Sequence, residues 1–273
     1  MPETESTQTH GRATPAAAMF ADILCAIDGK EGGFSAVEHA VALAGTQGRL
    51  TFLAVTSFRS GGAHRAPAIG PVRVAGILEH AEGIAREAGV PYASEVDPGN
   101  PPARVILDWS ARYDLLALGA PASSWPARLL SVGVGDKALG GFSNALLVAR
   151  PLADDRRLGD RIVVASDGLE ASHALGREPF KRGRLRDQER TLREQERTLA
   201  RTRPSGTSES LIKPGRAAVA IVSAATAADA SLVIMGSRRL DGLRAMGSVS
   251  RRVAHQARCS VLLVPPETLT RWA

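Results

Sequence analysis

The chain has 273 residues, of which 44% are hydrophobic, 23% charged and only 4% aromatic. That balance fits a soluble globular protein of roughly two domains at about 100–200 residues each, and excludes collagen, a coiled-coil rod and a wholly disordered chain. The formal net charge is +6, but residues 177–203 hold ten basic and five acidic side chains and supply five of the six, and a charge run without interleaved aromatics reads as a solvated helix face, not a nucleic-acid groove.

Residues 1–19 read as a disordered tail. They lack the basic start and apolar core of a signal peptide, and no apolar run in the chain approaches the roughly 20 residues of a membrane helix, so a cytoplasmic protein without membrane contact is expected. Next come alternating apolar runs and helical patterns. The strands are read at 22–27, 49–56, 92–96, 115–119 and 145–149. Helix 35–44 has Val37, Ala40, Val41 and Ala44 on one face, and helix 74–88 has Ile77, Leu78, Ala81, Ile84 and Ala85, with Gly89 ending it. This alternation is the pattern of βαβ units and a parallel sheet covered on both faces.

The pattern then repeats. Asp28-Gly29 is echoed by Asp167-Gly168 at an offset of 139, Gly99 by Gly215 at 116, and Leu-Leu-Ala-Leu-Gly119 by Leu-Val-Ile-Met-Gly236 at 117. The apolar run 145–149 is echoed at 260–264, an offset of 115. Two copies of one domain therefore stand in tandem, at 20–150 and 160–273, with 151–159 as linker. They are expected to pack as a pseudo-dimer through their last strands. The fall in offset from 139 to 116 removes 23 residues from the second copy, and residues 168–211 contain no Val or Ile. The second strand is thus read as absent there, leaving four strands, with an Arg/Glu-rich helix at 184–203 in its place. Leu185, Leu192 and Leu199 recur one heptad apart on that helix, too narrow a stripe for a stable coiled coil.

Chemistry is concentrated after the fourth strand of copy two. Residues 235–250, MGSRRLDGLRAMGSVS, run from a strand end through a glycine-containing loop to an expected helix at 249–257. Glycines let the backbone approach a phosphate, and amides at a helix start point towards it. Walker A and GxGxxG sequences are absent. The two cysteines, Cys25 and Cys259, lie far apart in apolar segments and read as buried thiols. The six histidines show no metal-ligand spacing, and no nucleophile elbow points to catalysis.

These residues resemble the universal stress protein family, of the adenine-nucleotide-binding α/β superfamily (adenine nucleotide alpha hydrolase-like). The resemblance is carried by the Asp-Gly after strand one, the Asp-Pro-Gly turn before the third helix, and Gly236-Ser-Arg with Gly247-Ser-Val-Ser-Arg-Arg-Val. It implies two tandem doubly wound, Rossmann-like parallel-sheet domains, and a non-enzymatic stress-response role with ATP as the ligand. In copy two, Ala165 and Asp167 would face the adenosine, and Gly236, Arg238, Gly247, Ser248, Val249 and Ser250 the phosphates. In copy one, Ala26, Asp28, Val55 and Gly119 would take the corresponding places.

Both copies depart from the family loop G-x2-G-x9-G-[S/T]. Arg239 stands at the second glycine of copy two, with seven residues before Gly247, while copy one has Ala122 there and lacks the Gly-Ser-Val-Ser pattern. Two readings stay open: weak, phosphate-led ATP binding, or a nucleotide-independent interaction module in which the aspartates only cap turns. Homodimerisation is left open as well.

Overall fold

Strand sequences such as Ile23-Leu24-Cys25 and Leu146-Leu147-Val148 are apolar at every position, so both faces of the strand must be covered. The computed structural model describes residues 20–45, 47–56, 71–99, 101–120, 144–153, 155–165, 215–236 and 249–265. Copy one contains β1 (Asp22–Ala26), α1 (Glu31–Ala44), β2 (Arg49–Val55), α2 (Pro71–Glu87), β3 (Tyr92–Asp97), α3 (Pro102–Ser110), β4 (Leu115–Gly119) and β5 (Ala145–Ala149). Copy two contributes β6 (Ile162–Ala165), α4 (Ala217–Ala227), β7 (Leu232–Gly236), α5 (Val249–Gln256) and β8 (Ser260–Val264). The tail 1–19, the missing second strand and the helix at 184–203 lie outside the described residues.

The eight strands among the described residues form one sheet in the order β3-β2-β1-β4-β5-β8-β7-β6. Pairing is parallel within each copy and antiparallel at the seam, where Leu146, Leu147 and Val148 face Leu263, Leu262 and Val261. The expected pairing of the last strands is therefore present. α1 and α2 cover one face, burying Val37, Ala40, Ile77 and Ala81 against Ile23, Phe52, Leu115 and Leu147. α3, α4 and α5 cover the other, where Ile106, Ala225 and Val253 meet Leu24, Leu116, Val233 and Val261.

Turns are set locally. Asp97 closes β3 by accepting the Gly99 N–H (2.7 Å) and the Trp109 Nε1–H (2.8 Å), which fixes the start of α3. Gly89, at φ 67°, ends α2. Both cysteines are buried and unpaired.

The seam holds a buried polar chain. Ser260 Oγ accepts the Arg150 N–H (3.0 Å) and lies 3.1 Å from His39 Nδ1, against 3.5 Å from the Arg150 carbonyl. The Ser260 hydroxyl and the His39 ring nitrogen share one hydrogen bond whose direction follows the imidazole tautomer. His39 is 3% exposed, and burial pushes its pKa down from 6.5 to about 4. The folded value is the lower one, so the unfolded chain binds more protons between those limits. Stability should begin to fall as pH drops below about 6.5, and the loss should reach about 3 kcal/mol below about pH 4. Urea unfolding at pH 7 and pH 5 should differ by about 2 kcal/mol from this group. His39→Gln should remove that difference; an equal pH dependence in the variant would show that other groups cause it.

Candidate functional site

In copy one the chain moves from β1 out to β2 and β3 and returns on the other side at β4, so a crevice opens at the carboxyl ends of β1 and β4; in copy two β6 and β7 stand in the places of β1 and β4, and β6 is the edge strand among the described residues. The antiparallel seam puts the carboxyl ends of the two copies' strands at opposite ends of the sheet.

In copy one the fold brings all four expected residues to one end: Ala26 and Val55 close β1 and β2, Gly119 closes β4, and Asp28 follows β1. Two of them also make structural contacts. Asp28 is 48% exposed at its side chain; Oδ1 accepts the Lys30 N–H (3.1 Å), and Oδ2 pairs with Lys30 Nζ at 2.7 Å. It therefore builds the turn into α1, helped by Gly29 at φ 74°, against which Ile77 packs. So exposed an ion pair contributes at most about 1 kcal/mol. Gly119 is a packing glycine: a Cβ there would overlap the Gly32 carbonyl and the Gly33 amide of α1. Gly32 is tight in return, since its own Cβ would lie 2.5 Å from the Ala120 carbonyl oxygen.

In copy two, Ala165 ends β6 directly opposite Met235, and Gly236 ends β7 opposite Val264. Among the described residues nothing lies within 4 Å of a Cβ built on Gly236. α5 links the parallel strands β7 and β8. Its far end, at Ala254, meets Arg150 beside the start of β8, so its first residues, Val249 and the buried Ser250, lie towards the carboxyl end. The remaining expected residues, Asp167, Arg238, Gly247 and Ser248, lie outside the described residues.

The helix starts that can be compared follow different strands, α1 after β1 and α5 after β7. α1 begins with Glu31, three residues after Asp28, whose carboxylate pairs with Lys30 among the described residues. α5 has no acid in its first turn and carries Arg251 and Arg252 there. An anion is favoured at a helix N-terminus, and more so with cations nearby.

Among the described residues the β6 flank of copy two is uncovered: Val164 is 62% exposed, while its counterpart Cys25 on β1 is fully buried. Lys30 and the seam residues His39, Arg150 and Ser260 were not singled out by motif. A separate cleft of about 240 Å³ lies between Pro151, Arg156, Asp229 and Arg258, and none of the expected site residues lines it. Arg156 there holds the Asp229 carboxylate and carbonyl at the end of α4. Among the described residues, no helix is long and apolar enough to cross a membrane.

Comparison with known proteins bears on both copies. The model of the universal stress protein family matches residues 19–150 and again 164–265. The fold is similar to a universal stress protein from Archaeoglobus fulgidus DSM 4304, at TM-score 0.64 and 19% identity over 90% of this chain and 96% of that one. It is also similar to a putative universal stress protein from Pseudomonas aeruginosa UCBPP-PA14, at TM-score 0.59 and 18% identity over 93% and 97%. A universal stress protein family protein from Arabidopsis thaliana, solved with AMP bound, matches at TM-score 0.35 and 16% identity over 50% and 94%. No curated protein matches the chain. With the family's sequence pattern present twice, on two copies of a sheet that joins them edge to edge, the chain belongs to the universal stress protein family.

Proposed function

We propose that copy two binds an adenine nucleotide, ATP, through its phosphates, and that the chain acts in the cytoplasm as a stress-response sensor or regulator without turnover. Binding would shift populations between free and bound forms. The observation that carries this reading is the start of α5, which has no acid in its first turn, bears Arg251 and Arg252, and lies towards the carboxyl end of β7. Gly247, Ser248 and Ser250 would give the phosphates amide and hydroxyl hydrogen bonds, each charge-assisted bond contributing roughly 1.5–3 kcal/mol. The exposed flank of β6 leaves the adenine little to pack on, so affinity would come from the phosphates.

Copy one favours the second reading, an interaction module. Its Asp28 is engaged by Lys30 and its Gly119 by Gly32, so both have structural work without a ligand.

Thermal unfolding with and without ATP tests the assignment to copy two. ATP at about 100 times its Kd should stabilise the wild type by about 2.7 kcal/mol. Gly247→Asp should abolish that gain through steric block and charge repulsion while leaving the unliganded fold intact. Equal stabilisation of both proteins would place binding elsewhere.

A further inference from the structure

We propose that Arg150, a residue of copy one, is a positioning residue for the nucleotide site of copy two and acts through α5. The inference rests on the nucleotide reading above.

Arg150 follows β5 and is 2% exposed, yet no carboxylate pairs with it among the described residues. Its Nη2–H donates to the Ala254 carbonyl at 2.6 Å and its Nη1–H to the Cys259 carbonyl at 3.3 Å, while Nε has no partner. Burial lowers its pKa from the ordinary arginine value. A buried, incompletely satisfied guanidinium is an unfavourable way to join two apolar strands, because well-packed hydrophobic side chains serve as well or better. What it does supply is a cation at the carbonyl end of α5, where the helix dipole is negative.

Its backbone is fixed too. The Arg150 N–H is held by Ser260 Oγ, which His39 of α1 engages in turn. Copy one therefore grips α5 at one end through a rigid chain of buried groups. α5 has eight residues and is about 12 Å long, too short to absorb a shift of one end before the other. Ser250 lies four residues before Ala254, one turn away on the same face. Hydrogen bonds to phosphate oxygens depend on donor placement within about 0.5 Å, so loosening the Ala254 end misplaces the donors at the start.

The test is calorimetric titration of AMP and of ATP into wild type, Arg150→Lys and Arg150→Met, each confirmed folded by circular dichroism. ATP binding should weaken about tenfold in Arg150→Met, about 1.4 kcal/mol. The preference for ATP over AMP should shrink from wild type through Arg150→Lys to Arg150→Met, because the loss falls on the phosphates beyond the first. General destabilisation would leave that preference unchanged. An unaltered preference in the folded variants overturns the inference, and if Arg150→Met does not fold, wild type against Arg150→Lys decides by the same criterion. A wild type that binds neither nucleotide overturns the nucleotide reading itself, and this inference with it, before any variant is made.

Discussion

Leu262→Asp should cost about 4 kcal/mol or more and split the seam between the two copies. Leu262 is fully buried and sits directly opposite Leu147, itself fully buried, in the antiparallel β5–β8 pair. An aspartate there must either stay ionised among apolar side chains or take up a proton at neutral pH. Among the described residues the ladder between the copies is the β5–β8 pair, so its loss should uncouple their unfolding. Denaturant unfolding of the variant should show two transitions where the wild type shows one. A single transition at the wild-type midpoint would mean that the seam does not hold the copies together.

Gly119→Ala is expected to destabilise copy one by about 3 kcal/mol or more, whereas Gly236→Ala should stay within about 0.5 kcal/mol. These glycines occupy the same place in the two copies, at the end of the strand that precedes the expected ligand loop. The difference lies in what faces them. An added Cβ at Gly119 runs into the main chain of Gly32 and Gly33, which has no flexible end to move aside, while at Gly236 it meets nothing within 4 Å among the described residues. Chemical denaturation of the two variants measures the contrast. Equal costs would show that Gly119 is not a packing glycine, and copy one would regain its claim to a phosphate.

Where sequence and structure agree, the reason is composition. The expected strands 115–119, 145–149 and 260–264 coincide with β4, β5 and β8, because each is an unbroken apolar run ended by a glycine or a charged or proline residue. α1 starts at Glu31, four residues ahead of the expected Ser35, since Gly32-Gly33 reads as a helix breaker. In the fold the same pair is what allows α1 to touch Gly119 and Ala120. α2 likewise begins at Pro71, ahead of the expected Val74, as proline suits the first turn of a helix.

The candidate site was legible as positions and less so as roles. Ala26, Asp28, Val55 and Gly119 do gather at one end of the sheet, as the repeat and the resemblance implied. That Asp28 would be engaged by Lys30 two residues later, and Gly119 by Gly32 across 87 positions, depends on packing that no local pattern encodes. The seam is harder still: Arg150 reaches Ala254 over 104 positions and His39 meets Ser260 over 221, and such contacts leave no periodicity in the chain.

Calorimetric titration of ATP and of adenosine into the purified wild-type protein tests the central claim most directly. The account predicts heat of binding with millimolar ATP and almost none with adenosine, because the phosphates meet the start of α5 while the base finds an open flank at β6. No heat with millimolar ATP, or equal binding of adenosine, would contradict it.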